Sequence, residues 1–335
     1  MSNIFIIAEL SANHNNDLDV ALETVRAIAK TGADAVKVQT YTADSLSMDI
    51  DNEFFGEIKS GPWKGRRPYE LYQEASMPYE WHKDIQALTK ELGLEFFSSP
   101  FDIEAVDFLE DLNVSRYKIA SFEITDIPLI QYAASKAKPI IMSTGVAQLE
   151  DIENAILACR KVGNDDITLL KCTSQYPAKI EQANLIVIPD LAKKFNVKVG
   201  LSDHTMGYIV PMAAVALGAT VIEKHFILDR KMGGPDSAFS MQPEEFELMV
   251  KNVRQVEKSL GTVGFSVSEN DKLRRRSLFV TDSISAGEQF TEKNIKSKRP
   301  GHGLAPSLLE KLIGKKATKN LKRGEPLNMG DVKWK

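Results

Sequence analysis

Two of the five histidines in the chain end consecutive apolar runs, His204 in VGLSDHT and His225 in VIEKHF. If the two runs are neighbouring strands, both rings lie at the same edge of the sheet. Imidazole binds Mn, Fe, Co or Zn, and two protein ligands leave coordination positions for water and substrate. The pair therefore predicts an open divalent metal site. Hydrogen-bonded core or rim histidines remain the alternative on these residues alone.

Lysines and hydroxyl groups at other run ends could bind an anionic substrate. Lys37 and Lys118 lie inside apolar runs, where a lysine is seldom buried without a partner. Serines at further run ends would complete a cradle for a phosphate and a carboxylate: Ser121, Ser143 and Ser202. A Schiff base on either lysine is the alternative chemistry.

Eight apolar runs that turn polar at their carboxyl ends carry these residues. They span 4–10, 35–40, 94–100, 116–121, 139–144, 167–173, 198–204 and 220–226. Near-continuous hydrophobicity is typical of parallel strands buried on both faces, and the stretches between the runs have helical periodicity. The pattern predicts an α/β fold, a (β/α)8 TIM barrel whose strand ends share one active-site rim. A doubly wound open sheet is the alternative.

Two regions differ from this repeat. Residues 41–77 hold aromatic, glycine and basic residues and exceed what a strand-to-helix connection needs, which favours a lid or substrate loop. After residue 260, glycine and proline recur every few residues. We therefore predict a catalytic domain at 1–260, a linker at 261–274, and a small β-rich module at 275–335.

The composition excludes several classes of protein. Of the 335 residues, 43% are hydrophobic and 26% charged, with a net charge of −4, so no basic excess indicates a nucleic-acid or membrane partner. Cys159 and Cys172 form no disulfide framework, and the amino-terminal run lacks the basic region of a signal peptide. These features predict a cytoplasmic protein.

Ten segments, in order, resemble the sialic acid synthase family, whose members make nine-carbon nonulosonic acids. They are AELSANHN, VKVQTY, FFSSPFD, YKIASFE, IMSTG, KCTSQYP, GLSDHT, EKHF, GGPDSAFS and KRPGHG. The resemblance implies a TIM barrel followed by an antifreeze-protein-like SAF domain. It also implies metal-dependent condensation of phosphoenolpyruvate with an N-acylated amino sugar, in a domain-swapped homodimer.

The same resemblance assigns residues to roles. The metal ligands would be His204 and His225, with Mn²⁺ as the first choice of ion and Mg²⁺ or Co²⁺ as others. Phosphoenolpyruvate would be bound by Lys37, Lys118, Ser121, Ser143, Ser174 and Ser202. The sugar would be bound by Gln39, Glu123, Tyr176, Asp236 and Arg299. The catalytic groups would be Glu9, Glu223 and Lys118, with the choice of general base left open.

Several segments distinguish between branches of that family. ASFEITD, YELYQEA and GGPDSAFS look like the pseudaminate-forming branch, whose substrate is a 6-deoxy-2,4-diacetamido hexose. Ser174 stands where many members that form N-acetylneuraminate have an asparagine. Legionaminate and N-acetylneuraminate are the alternative products. A Schiff-base aldolase and a non-catalytic sugar-binding barrel are the alternatives from other classes.

Overall fold

The computed structural model describes residues 4–61 and 63–334. Residues 1–3 and 335, at the ends of the predicted domains, and Pro62, in the predicted lid, lie outside the described residues. The chain divides into two compact units between Gly261 and Thr262. Each unit has its own hydrophobic core.

A closed barrel of eight parallel strands forms the first unit, so the predicted barrel is confirmed and the open sheet is wrong. The strands are β1 (Phe5–Glu9), β2 (Ala35–Thr40), β3 (Glu95–Pro100), β4 (Tyr117–Ile119), β5 (Ile140–Ser143), β6 (Ile167–Cys172), β7 (Lys198–Asp203) and β8 (Val221–His225). They are buried almost throughout, which explains their near-continuous hydrophobicity. β4 ends earlier than its apolar run because Ser121–Glu123 forms a 3₁₀ turn.

Helices surround the strands. They are α1 (Leu18–Lys30), α2 (Ala43–Leu46), α3 (Pro68–Ala75), α4 (Trp81–Glu91), α5 (Ile103–Asp111), α6 (Ile127–Ser135), α7 (Leu149–Lys161), α8 (Val187–Phe195), α9 (Ile209–Ala216) and α10 (Pro243–Leu260). α1 illustrates helix capping and amphipathic packing. The Asp17 carboxylate caps its first backbone amides, and Val25 and Ile28 are buried on one face. Within the described residues, no helix is long and apolar enough to cross a membrane.

Strand register brings the predicted site residues to one rim. Glu9 pairs with Lys37 on β2 and with His225 on β8, and Ser202 on β7 pairs with Glu223. Side chains two residues apart on a strand share a face, so Glu223 and His225 lie on the same face of β8. Lys224, between them, points to the opposite face.

The second unit is small and contains short strands in two antiparallel pairs. Its elements are α11 (Glu269–Leu273), β9 (Ser277–Val280), β10 (Ile295–Lys298), α12 (Leu309–Leu312), β11 (Lys316–Ala317) and β12 (Val332–Lys333). Its core centres on Leu278, Phe290 and Leu327. The short helix α11 falls within the predicted linker.

Candidate active site at the barrel rim

Two lysines and two carboxylates form a buried cluster at the carboxyl ends of β1, β2, β4 and β8. Lys37 Nζ lies 2.6 Å from Glu9 Oε2 and 3.9 Å from Glu223 Oε2, and Lys118 Nζ lies 3.9 Å from Glu223 Oε1. All four residues are at most 5% exposed. Buried charges are tolerated when paired, and here the two positive and two negative groups balance.

The environment separates the pKa values of the two carboxyl groups. Burial, reinforced by the charge of Glu223, raises the pKa of Glu9 although Lys37 opposes this effect. Burial also acts to raise the pKa of Glu223, but Lys118 and Lys37 outweigh it and the pKa is lowered. Burial lowers the pKa of Lys118. Two neighbouring carboxyl groups with opposite shifts are suited to dividing proton donation and acceptance.

Hydroxyl groups line the rim beside this cluster. Ser202 Oγ donates to Glu223 Oε1 at 3.1 Å, and Ser121 Oγ accepts a hydrogen bond from the Gly145 amide at 3.2 Å. Ser143 Oγ is buried and has no hydrogen-bond partner in the part of the chain that the structure describes. A buried hydroxyl without a protein partner is suited to a ligand oxygen. The residues predicted to bind phosphoenolpyruvate thus lie at or just beyond strands of one barrel.

Gly145 borders this hydroxyl cluster closely. A Cβ at this position would lie 2.1 Å from Ser174 Oγ, 2.8 Å from Ser121 Oγ and 3.1 Å from Cys172 Sγ. The hydroxyl groups can rotate away, but only by leaving their present positions.

If these hydroxyl groups bind phosphoenolpyruvate, as the resemblance to the sialic acid synthase family implies, Gly145→Ala should fold and raise the KM for that substrate by about tenfold or more, since one displaced hydrogen bond is worth about 1.4 kcal/mol. Steady-state phosphate release at varied phosphoenolpyruvate measures the effect. Gly264→Ala is the matched control, because a Cβ there meets no atom within 4 Å. An unchanged KM in Gly145→Ala would contradict the prediction.

His204 and His225 lie side by side, with ring centroids 5.3 Å apart. His204 Nδ1 lies 3.0 Å from the Thr173 carbonyl oxygen and therefore donates a hydrogen bond to it. Burial disfavours a charge on this ring, but its contacts with Cys172 and Thr173 outweigh burial and raise the pKa of His204. Burial, with the positive charges of His204 and nearby lysines, lowers the pKa of His225 well below its usual range. His225 Nδ1 is buried without a hydrogen-bond partner among the described residues.

These features fit a divalent metal ion held by the two imidazoles, and such an ion would displace a proton from His204 when it binds. A carbonyl that orients one ring and an unpartnered nitrogen on the other are what an open site requires. Across residues 4–61 and 63–334, no group of three or more His, Cys, Asp and Glu side chains is arranged to hold a metal. The remaining positions would therefore belong to water and substrate.

Two of the side chains predicted to bind the sugar, Tyr176 and Asp236, lie beside the histidines, and Gln39 lies beside Glu9. Gln39 Nε2 donates to Glu9 Oε1 at 2.9 Å, and His225 Nδ1 lies 3.9 Å from Asp236 Oδ2. The Tyr176 ring packs 4.5 Å from that of His204, measured between centroids.

The predicted lid reaches this site. The Trp63 indole NH donates to the Pro235 carbonyl oxygen at 3.0 Å, and its ring lies 5.6 Å from that of Tyr176. Trp63 thus joins the connection after β2 to the loops after β6 and β8.

Glu123 lies in the 3₁₀ turn after β4. Burial raises its pKa to about 7, although its own backbone amide and Lys118 oppose this shift. Its Oε2 atom is buried and without a hydrogen-bond partner among the described residues, so it can accept a hydrogen bond from a ligand.

The titration of Glu123 should appear in the pH dependence of stability. The folded protein holds the Glu123 proton more tightly than the unfolded chain does, because the folded-state pKa of about 7 exceeds the ordinary 4.5. The contribution of this proton to the free energy of unfolding is therefore fully present below the ordinary pKa and is lost as pH rises through about 7. We expect the free energy of unfolding of Glu123→Gln, relative to that of the wild type, to increase by about 3 kcal/mol between about pH 5 and about pH 8. Thermal unfolding of both proteins across this range measures the gap, with the exposed Glu150→Gln as control. A gap that stays constant with pH would contradict the prediction.

Arg299 belongs to the second unit and is the predicted sugar contact that lies outside the barrel. It follows the strand β10 directly. Its assignment remains a prediction.

Three residues near the site escaped the sequence analysis: Ser11, Trp63 and Cys172. The lid was predicted as a segment, but no pattern selected Trp63 within it. Cys172 was considered only as evidence of a reducing compartment, yet its Sγ lies 3.8 Å from His204 Nδ1. That hydrogen bond, with those from Ser121 and Ser174, outweighs burial and lowers the thiol pKa to about 7. The position of Cys172 two residues before Ser174 was the available signal.

Comparisons with known proteins find relatives that cover nearly the whole chain. The sequence model of the NeuB family matches residues 24–264, and that of the SAF domain matches residues 275–333. Pseudaminic acid synthase of Campylobacter jejuni is 47% identical, over 98% of this chain and 96% of that protein. N,N'-diacetyllegionaminic acid synthase of Legionella pneumophila is 40% identical, over 96% of this chain and 93% of that protein. The crystal structure of N-acetylneuraminic acid synthetase from Leptospira borgpetersenii, 32% identical, aligns with a TM-score of 0.72 over 81% of this chain and 89% of that one.

Proposed function

This chain belongs to the NeuB family, and from that membership we propose that it is a pseudaminic acid synthase. The family and the SAF domain predicted from the ten segments are thereby confirmed. The reaction joins phosphoenolpyruvate to a 2,4-diacetamido-2,4,6-trideoxyhexose of the altrose type and releases phosphate. The observation that carries this chemistry is the lysine and serine cradle beside a histidine pair on one barrel rim.

Phosphoenolpyruvate is proposed to bind among Lys37, Lys118 and the serine hydroxyl groups. Ammonium and hydroxyl donors in a buried site bind phosphate and carboxylate oxygens strongly. The lysine–carboxylate cluster is balanced before the substrate arrives, so a trianion favours a proton on Glu9, whose pKa burial already raises. The cluster would thus accommodate the added negative charge by taking up a proton at Glu9.

A divalent ion, Mn²⁺ first and Mg²⁺ or Co²⁺ as others, is proposed to bind His204 and His225. When bound, it would supply Lewis-acid polarisation of a carbonyl oxygen. Tyr176 packs against His204 and helps to exclude water from that side of the pair. The Thr173 carbonyl oxygen holds the orientation of the His204 ring.

The proposed reaction forms one carbon–carbon bond and breaks the carbon–oxygen bond to the phosphate. Carbon 3 of phosphoenolpyruvate attacks the aldehyde carbon of the open-chain sugar, and the aldehyde oxygen takes up a proton. Water then adds to carbon 2 and loses one proton, which gives a tetrahedral adduct. The new hydroxyl group loses its remaining proton and becomes the ketone oxygen as the bond between carbon 2 and the ester oxygen breaks, and phosphate leaves with the electron pair of that bond. Glu9 and Glu223 are placed to move these protons, and Lys37 and Lys118 stabilise the departing phosphate.

Gln39, Glu123, Tyr176 and Asp236 are proposed to bind the sugar. The unpartnered Glu123 Oε2 offers an acceptor for an acetamido N–H, a group that the substrate carries twice. The rings of Trp63 and Tyr176 offer apolar surface for a methyl group in place of a hydroxyl.

We propose that the active protein is a cytoplasmic homodimer in which the partner's Arg299 completes the sugar site. In that arrangement, a chain with a defective barrel can still supply its Arg299 to the site in the other chain. Mixing Arg299→Ala with His225→Ala, each inactive alone, should restore up to about a quarter of wild-type activity in randomly mixed dimers. Phosphate release after the subunits have exchanged measures this. No recovery in proven mixed dimers would show that Arg299 acts within its own chain.

A phosphate-release assay tests the reaction itself. The enzyme is supplied with phosphoenolpyruvate and a panel of 2-acetamido and 2,4-diacetamido sugars, and the nine-carbon product is identified by mass. The proposal requires the highest kcat/KM with the 6-deoxy diacetamido sugar of the altrose type. Preference for the legionaminate precursor or for N-acetylmannosamine would assign the chain to those products instead.

A Schiff-base aldolase is the second candidate, because burial lowers the pKa of Lys118 as a nucleophilic lysine requires. Borohydride trapping in the presence of a carbonyl substrate separates the two mechanisms. A covalent adduct on Lys118 or Lys37 would overturn the condensation mechanism. Loss of activity with EDTA and its recovery with Mn²⁺ would overturn the aldolase.

A further inference from the structure

Ser11 follows β1 and has an unusual backbone. Its φ is +50°, in the left-handed region that glycine enters freely and that side chains with a Cβ enter at a cost. It is 4% exposed. A buried serine in a conformation that favours glycine indicates that its hydroxyl group has a role.

The Ser11 hydroxyl joins two residues of the proposed sugar site. Its Oγ donates to Asp236 Oδ2 at 2.5 Å and accepts from Gln39 Nε2 at 2.9 Å. The Asp236 carboxylate oxygen can only accept and the Gln39 amide nitrogen can only donate, so the serine must do both. The hydroxyl is therefore a bridge with a fixed direction.

The bridge determines which polar atoms remain for a ligand. Asp236 Oδ2 is taken by Ser11 and, at 3.4 Å, by the Ala12 amide, whereas Oδ1 enters none of the hydrogen bonds among the described residues. Both Nε2 hydrogens of Gln39 are also used, one on Ser11 and one on Glu9, which leaves Oε1. One carboxylate oxygen and one amide oxygen are thus held in fixed positions as acceptors.

We propose that Ser11 is a positioning residue of the sugar site, which sets Asp236 Oδ1 and Gln39 Oε1 to accept hydrogen bonds from the hydroxyl or acetamido N–H groups of the acceptor sugar. The inference rests on the proposed function and adds a residue that touches neither reacting carbon. Without the bridge, the Asp236 carboxylate and the Gln39 amide are free to rotate, and sugar binding must order both groups.

Two substitutions separate the hydroxyl from the backbone. Ser11→Ala removes the hydroxyl and keeps the left-handed strain, whereas Ser11→Gly removes both. We expect both variants to raise the KM for the 2,4-diacetamido-2,4,6-trideoxyhexose by about tenfold and to leave the KM for phosphoenolpyruvate within about twofold of wild type. We also expect Ser11→Gly to melt a few degrees above Ser11→Ala, because glycine adopts this φ without strain.

The outcomes are distinct. A higher sugar KM in the more stable Ser11→Gly variant supports the inference, because a purely structural role would follow stability. Unchanged sugar KM values, or equal rises for both substrates, would overturn it while wild-type turnover leaves the proposed function standing. Wild-type protein that releases no phosphate with this sugar would overturn the proposed function and the inference together.

Discussion

Alanine in place of His204 or His225 is expected to lower kcat by about a thousandfold or more and to remove tight Mn²⁺ binding. In the proposed metal site each ring would supply a nitrogen lone pair, and the described residues contain no group of three metal-binding side chains that could compensate for its loss. Lewis-acid stabilisation of a developing alkoxide is worth several kcal/mol, which corresponds to this loss of rate. Both side chains lie at strand ends, so alanine should leave the barrel folded.

Three measurements test this prediction: metal binding, folding and the activity of the double variant. Mn²⁺ titration followed by electron paramagnetic resonance reads binding without turnover, and circular dichroism with thermal unfolding confirms the fold. The double variant should lose no more activity than either single variant, because residues that act as one unit are not additive. Near-wild-type activity or Mn²⁺ affinity in a folded single variant would remove the metal assignment.

Methionine in place of Lys118 is expected to lower kcat/KM for phosphoenolpyruvate by about a thousandfold. The substitution keeps the apolar stem and removes a buried ammonium group 3.9 Å from Glu223 Oε1. Loss of one preorganised donor costs about 10²- to 10³-fold, and the carboxylate left behind adds repulsion toward an anionic substrate. The pKa of Glu223 should also rise, since Lys118 is the largest influence that lowers it.

Lys138→Met is the matched control for this change. Lys138 is likewise a lysine near a carboxylate, with its Nζ 2.8 Å from Glu110 Oε2, but it is only partly buried and precedes β5 at the amino-terminal end of the barrel. Its substitution should reduce stability slightly and leave both KM values unchanged. Equal kinetic losses in the two variants would show a general effect of removing a lysine rather than a role for Lys118.

Most of the barrel could be predicted because each parallel strand buried on both faces appears in the sequence as a continuous run of apolar residues. β2, for example, begins and ends where the apolar run does. β4 was harder, because its run continues into Ser121, where backbone hydrogen bonding changes to a 3₁₀ turn without a change in hydrophobicity. Closure of the sheet depends on β1 pairing with β8, a contact between the two ends of the domain that periodicity does not encode.

The site was predicted as a set of residues but not as a network. Lys37 and Glu9 are nearly thirty residues apart, and only the β1–β2 register shows that they form an ion pair. The bridge through Ser11 needs the loop after β8 to return to β1, and its backbone strain is visible only as a dihedral angle. Motif resemblance identified Gln39 and Asp236 without showing what joins them.

The two-residue spacing of Glu223 and His225 on β8 limits where a residue can be inserted into the chain. A single codon inserted before Glu223 would turn Lys224 toward the barrel interior and shift Glu223 and His225 out of their present register. Lys224 now pairs with Asp203 on that outer face, Nζ to Oδ2 at 2.5 Å, so the shift would also leave a buried charge unpaired. An insertion in a loop, such as the one that carries Trp63, would leave the register of β8 unchanged.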